Sequence, residues 1–188
     1  ICYNFLMMYP NFNEEKKLWK QGCECVIGLD EAGRGPLAGP VVAAAVSISK
    51  LISSKSNQNS KFKIQDLRIN DSKKLSQKQR EFFYEKLTNH NDISWGVGIV
   101  SEKVIDNINI LQATKLAMAN ALNGLKKSAD FLLIDGNFTI NAKTPQESII
   151  KGDSRVFSIC AAGIIAKVTR DRLMQKMHEK YPRYGFDQ

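Results

Sequence analysis

The stretch that most restricts how this chain can fold is Gly28 to Val46, which reads GLDEAGRGPLAGPVVAAAV. Two neighbouring carboxylates, Asp30 and Glu31, close an apolar run (Val26, Ile27, Leu29), and a turn containing Gly33, Gly35, Pro36, Gly39 and Pro40 follows at once. Val41 to Val46 is apolar again, so the pattern predicts a strand, a glycine turn and a second strand. Successive residues of a strand point to opposite faces, so Asp30 and Glu31 can serve one site only if the chain leaves the strand at about Glu31. That exit is the expectation. Gly33 and Gly35 permit it, because glycine takes positive φ without steric cost and leaves backbone N–H groups open to a ligand. Arg34 is then held in a tight turn beside two acids. An ordinary hairpin with a surface Asp-Glu pair ion-paired to Arg34 satisfies the same pattern. A dinucleotide-binding turn does not, since the spacing is not GxGxxG and a strand rather than a helix follows.

Composition narrows the class of partner. The 188 residues suit one domain with a substantial core, and 43% hydrophobic with 24% charged residues is a globular balance. Lys and Arg outnumber Asp and Glu by 27 to 19, giving a net charge of +8. Several acids cluster in the motif above, so the remaining surface is more basic still and favours a polyanion, nucleic acid before anionic membrane. No apolar run approaches the roughly 20 residues that span a bilayer. The cysteines are Cys2, Cys23, Cys25 and Cys160. A C-x-C pair without histidine neighbours is not a zinc pattern, and all four read as reduced, which suits a cytoplasmic protein. Ile1 to Tyr9 lacks the basic start and small-residue cleavage site of a signal peptide.

Along the chain, residues 1–24 read as an irregular leader without chemistry, with a short helix over Asn13 to Lys20. Strands are predicted at Cys25 to Asp30 and Val41 to Ser49. Lys50 to Lys63, rich in Ser, Asn and Lys, reads as a solvated loop. Ser76 with Gln79 predicts a capping box that opens a helix running through Leu87. Ile93 to Val100 predicts a strand whose two glycines mark close packing or a bulge. Ser101 should cap a short helix carrying Val104 and Ile105. Ile108 to Leu125 shows the 3/4 spacing of an amphipathic helix, broken at Lys115. Phe131 to Asp135 is a buried strand ending in an acid and followed by Gly136, repeating the logic of Asp30. Ser148 to Lys151 predicts a short strand, and Gly152 frees Asp153 to turn inward. Val156 to Met177 predicts a long helix with Thr169, Arg170, Asp171 and Arg172 on a partly exposed face. His90 and His178 are isolated surface histidines.

The glycine-turn stretch resembles the N-terminal signature of the type 2 ribonuclease H (ribonuclease HII) family. Further stretches agree in order: NDSKKLS at Asn70 to Ser76, NILQATKLAM at Asn109 to Met118, LLIDGN at Leu132 to Asn137, KGDS at Lys151 to Ser154, AAGIIAKVTRD at Ala161 to Asp171 and YPRYGF at Tyr181 to Phe186. The resemblance implies a ribonuclease H-like α/β domain over residues 25–188, a mixed five-stranded sheet flanked by helices. It implies endonucleolytic hydrolysis of RNA in RNA–DNA hybrids, and of single ribonucleotides embedded in duplex DNA, leaving 3′-hydroxyl and 5′-phosphate ends. The family's four acidic positions fall on Asp30, Glu31, Asp135 and Asp153. Its GRG turn, which reads the ribose 2′-hydroxyl, falls on Gly33, Arg34 and Gly35, and its junction-packing tyrosine falls on Tyr184. In such an enzyme at least one of Lys73 and Lys74, otherwise a solvated pair, contacts phosphate; Lys73 is the residue assigned here.

Chemistry agrees with the resemblance. Four carboxylates gathered without countercharge would raise one another's pKa, and divalent cations remove that cost. All-oxygen ligands suit Mg²⁺ or Mn²⁺. Two such ions about 4 Å apart activate a water on one side of a phosphodiester and stabilise the leaving oxygen on the other. A monomer is expected. Two departures from the family accompany the match: Gly163 stands where the family usually has Ser, predicting a helix weakened by about 1 kcal/mol, and the chain stops at Gln188 where family members continue with a basic helical portion, predicting weaker substrate affinity. Another ribonuclease H-like nuclease, of integrase or junction-cutting type, would share the acids without the GRG turn. A catalytically idle nucleic-acid-binding module would have lost an acid.

Overall fold

The structure is a computed structural model and describes residues 9–50 and 67–186. Cys2 and nearly all of the expected Lys50 to Lys63 loop lie outside the described residues. Five strands, β1 (Val26–Ala32), β2 (Val41–Ile48), β3 (Ile93–Val100), β4 (Phe131–Asp135) and β5 (Gln146–Ile149), form one sheet in the order β3-β2-β1-β4-β5. β1, β2 and β3 pair antiparallel, while β4 and β5 run parallel to β1. The helices are α1 (Asn13–Lys20), α2 (Gln77–Thr88), α3 (Glu102–Ile108), α4 (Ile110–Leu125) and α5 (Phe157–Lys180). This is the mixed five-stranded sheet flanked by helices that the resemblance implies.

Each face of the sheet has its own core, because strand side chains alternate. Ile27, Leu29, Ala43, Ala45, Leu132 and Ile134 face α4; Val42, Ala44, Val46 and Leu133 face α5. Every residue of β2 is buried, which explains its unbroken apolar run. The β3 glycines mark close packing rather than a bulge: the β2–β3 ladder is continuous, and a Cβ on Gly98 would lie 2.0 Å from the Ala117 carbonyl oxygen of α4.

Three local expectations need correction. Ile108 ends α3 instead of starting the amphipathic helix, because Asn109 takes φ +66° and its side chain accepts from the Leu111 and Gln112 N–H groups, opening α4 afresh. β5 lies two residues earlier than expected, at Gln146–Ile149, since its pairing with β4 is set by Leu132–Gln146 through Asp135–Ile149. The leader is not idle. Asn11 bridges to Val156, Phe12 stacks on Phe157 at 4.4 Å, and the buried Glu15 accepts the Ser158 N–H at 2.8 Å, capping the start of α5 from 143 residues away. The Ser76–Gln79 capping box and the α1, β3 and β4 boundaries stand as read.

Candidate active site

Asp30 and Asp135 end up side by side through strand arithmetic. In the parallel β1–β4 ladder Leu29 pairs with Ile134, so the next residues, both aspartates, emerge together on the α5 face. β5 is parallel too, and the chain leaves its end through the 3-10 turn Gly152–Ser154, which carries Asp153 to the same edge. Open α/β sheets bind ligands at such carboxyl ends. Carboxylate oxygens of Asp30, Asp135 and Asp153 lie within 4.8 Å of one another, and Asp30 and Asp153 are buried. Asp135 Oδ1 accepts the Gly152 N–H at 2.7 Å, tying the third acid to the second.

Glu31 is placed differently from the expectation. The chain does not leave the strand at Glu31: β1 runs through Ala32, with Asp30, Glu31 and Ala32 paired to Ala44, Ala43 and Val42. β2 is long enough to pair all of them, so the two side chains leave the ladder on opposite faces; the site nevertheless stays within Glu31's reach, because its charge acts on Asp30 and it feels Asp135 and Lys73 in turn across the strand end. Glu31 stands outside the trio, takes Arg34 Nη1 at 3.3 Å on Oε1, and leaves a buried Oε2 with no hydrogen-bond partner among the described residues.

The trio is electrostatically strained in the way a cation site is. Burial, then the neighbouring Glu31 and Asp135 charges, raise the Asp30 carboxyl well above its ordinary value. Burial, then Asp153, raises Asp135. Burial also raises Glu31, although Arg34 opposes it. Lys73 offers a partial counterion: its Nζ lies 3.4 Å from Asp153 Oδ2 while the side chain stays largely exposed. Burial alone would lower its pKa, but Asp153, Asp71 and Asp30 raise it. Three hard oxygen donors with one weakly held ammonium fit a hard divalent cation.

α5 passes directly behind the acids. It is unbroken at Gly163, so the predicted weakening does not interrupt it; a Cβ there would lie 2.3 Å from Asp30 Oδ2. Arg170, expected on an exposed face, is buried at 6% exposure. Its Nε and Nη2 donate to the Pro40 and Ala38 carbonyls at 3.0 and 2.9 Å, and Gly33 packs against its Nε with no room for a Cβ. The GRG turn is thus seated on Arg170. Asp171 takes Arg80 Nη2 at 3.4 Å, and Arg80 Nη1 donates to the Ser72 and Leu75 carbonyls, anchoring the segment that bears Lys73. A signal for Arg170 was available: Gly163, Ala166, Arg170 and Met174 form one buried stripe at helical spacing. Tyr184, 74% exposed, stacks on Phe186 in the turn after α5.

An acidic trio at the edge of a mixed sheet, two of its members buried, with Arg34 and Lys73 on the loops beside it, belongs to the class of metal-dependent nucleases with a ribonuclease H-type fold. Residues 27–188 match the sequence model of Ribonuclease HII. The chain belongs to the ribonuclease HII family. It is 51% identical over 175 residues to Ribonuclease HII of Chlamydia muridarum, covering 92% of this chain and 74% of that protein. It is 50% identical to Ribonuclease HII of Bacillus mycoides, covering 93% and 62%. Among solved structures it resembles ribonuclease H2 of Pyrococcus horikoshii, with a TM-score of 0.70, 30% identity and coverage of 86% and 79%. RNase HII of Archaeoglobus fulgidus, solved in complex with PCNA, gives 0.65 at 27% identity with coverage of 84% and 78%. This is therefore a metal-dependent ribonuclease H, a nuclease for RNA–DNA hybrids.

Proposed function

We propose that Asp30, Glu31, Asp135 and Asp153 hold two divalent cations, Mg²⁺ or Mn²⁺, and that the chain hydrolyses both hybrid RNA and single ribonucleotides in duplex DNA, leaving 3′-hydroxyl and 5′-phosphate ends. The observation that carries this reading is the convergence of three carboxylates from three parallel strand ends, with burial and mutual repulsion keeping Asp30 and Asp135 protonation-prone. When bound, the cations would activate a water and stabilise the leaving oxygen. The remaining work belongs to the protein. Lys73 partly neutralises Asp153 in the unloaded protein and is exposed enough to turn to a phosphate as cations take its place. Arg34, oriented by Glu31, offers its other N–H groups to a phosphate, while the backbone of Gly33 and Gly35 approaches the ribose, whose 2′-hydroxyl distinguishes RNA from DNA. Tyr184 presents an exposed ring that can pack on the neighbouring deoxyribose.

We place the activity in the cytoplasm, in a monomer serving DNA replication and repair. The free thiols of Cys23, Cys25 and Cys160 accord with a reducing compartment, and among the described residues no helix is long and apolar enough to cross a membrane. The test is cleavage of a duplex carrying one ribonucleotide, in Mg²⁺, Mn²⁺ or EDTA, by the intact chain and by Asp30→Asn and Asp135→Asn. Cutting at the ribonucleotide in either metal, lost in EDTA and in both variants, is expected. Equal cutting of an all-DNA control, or indifference to both substitutions, rejects the reading.

A further inference from the structure

The one charge in the apolar stripe of α4, Lys115, has no role in the chemistry above. It is half-buried between turns that hold Ala113, Thr114, Ala117 and Met118 in the core. Its Nζ lies 5.8 Å from the centroid of the Phe138 ring, and Arg34 Cζ lies 5.4 Å from the same centroid. Phe138 follows Asp135 by three residues, and Gly136, at φ +112°, packs on its ring edge and turns it back toward the glycine turn.

One cation over an aromatic ring is a favourable contact, but a second brings two positive charges together. Glu31 compensates Arg34. No carboxylate of the described residues comes within ion-pair distance of Lys115. Two cations at one ring, only one of them paired to a carboxylate, leave a positive surplus at Phe138, and Arg34 engages Glu31 through only one of its five N–H donors. Arg34 also lines a 240 Å³ cavity together with the acids Glu102 and Asp106 of α3, which repel an anionic backbone. A polyanion that meets Arg34 is favoured at the Phe138 ring, where Lys115 adds a second positive charge, over the cavity that the two acids border.

We propose that Lys115 and Arg34, converging on the Phe138 ring, form a seat for one backbone phosphodiester of the bound duplex, outside the acid cluster. The inference rests on the reading that the chain binds a nucleic-acid duplex. A phosphate fits because it presents several acceptor oxygens to a guanidinium fork and an ammonium at once, and because the seat needs charge rather than base-specific donors.

The test is binding of a fluorescent RNA–DNA hybrid, and of the matching all-DNA duplex, to the Ca²⁺-loaded chain across a salt series. Wild type is compared with Lys115→Ala, Lys115→Arg and, as a distant control, Lys127→Ala. Lys115→Ala should weaken hybrid binding about three- to tenfold and reduce the slope of log K against log salt by about one, the loss of one phosphate contact. Lys115→Arg should restore both, and the Mn²⁺ affinity of all variants by calorimetry should match wild type. Equal slopes for wild type and Lys115→Ala, or an equal loss in Lys127→Ala, would remove the seat and leave the ribonuclease reading standing. Equal binding of all-DNA duplex with the same Lys115 dependence would keep the seat and count against ribose recognition.

Discussion

Asp30→Asn should make the metal-free protein more stable while abolishing its response to metal. Three carboxylates have oxygens within 4.8 Å of one another, and two full charges at that separation repel by about 3.5 kcal/mol at an effective dielectric of about 20. The raised Asp30 carboxyl relieves part of this by retaining a proton, so the net gain on removing the charge is smaller, about 1–2 kcal/mol at pH 8. Asparagine keeps the oxygen that accepts the Glu31 N–H at 2.7 Å, so the local geometry survives. For a domain of this size the gain is roughly 2–8 °C in melting temperature. The sign with pH follows from linkage. A carboxyl whose folded pKa is raised binds more protons folded than unfolded, so wild-type stability falls as pH rises from the unfolded value through the folded one. The advantage of Asp30→Asn should therefore be small near pH 4 and fully developed above the folded pKa. In Mn²⁺ the order inverts, because wild type gains binding free energy that the variant lacks. Thermal melts by circular dichroism in EDTA and in Mn²⁺, from pH 4 to 8, check this. A variant less stable than wild type in EDTA at pH 8, or with an undiminished Mn²⁺ shift, would refute the reasoning.

Gly98→Ala should destabilise the fold by about 2–3 kcal/mol, since the added methyl meets helix backbone that cannot rotate away; denaturant midpoints measure it. Arg170→Met should raise KM for the duplex far more than it lowers Mn²⁺ affinity, because the seat of the glycine turn is lost while the acid trio stays in place; steady-state kinetics with parallel calorimetry separates the two. Glu15→Ala should cost about 1–3 kcal/mol by leaving the Ser158 N–H unpaired. Glu15→Gln keeps an acceptor and removes a buried charge whose pKa burial raises, so it should match or exceed wild-type stability at pH 8 in the same melts.

What was legible in the sequence was local. β3 and β4 follow from apolar runs bounded by polar turns, and the α2 start follows from Ser76 and Gln79 reaching each other across three residues. The acid edge was legible too, because a strand, an acid and a glycine occur in that order at both Asp30 and Asp135. The misplacements share a nonlocal cause. Nothing between Gly28 and Gly33 reveals that β2 pairs through Ala32, and that ladder alone sends Glu31 to the α4 face. The 3/4 stripe passes over Asn109 because apolar residues flank the break on both sides, so only the positive φ separates α3 from α4. Arg170 sat in a run of charges, and its burial is decided by two carbonyls 130 and 132 residues away.

These distant contacts meet on α5, which gives that helix a role its sequence pattern does not announce. Its first turn follows the Asp153 segment and is capped by Glu15; its second turn, at Gly163, leaves room for Asp30; two turns further on, Arg170 and Asp171 hold the glycine turn and, through Arg80, the Lys73 segment. A helix rises 1.5 Å per residue, so Asp30 and the glycine turn are spaced along it by about 10 Å, the seven residues from Gly163 to Arg170. Acids from separate strand ends and the loops that flank them are thus indexed to one rigid rod. That accounts for an uninterrupted helix at Gly163: a kink there would shift Arg170 relative to Asp30 and separate the turn that faces the ribose from the carboxylates beside it.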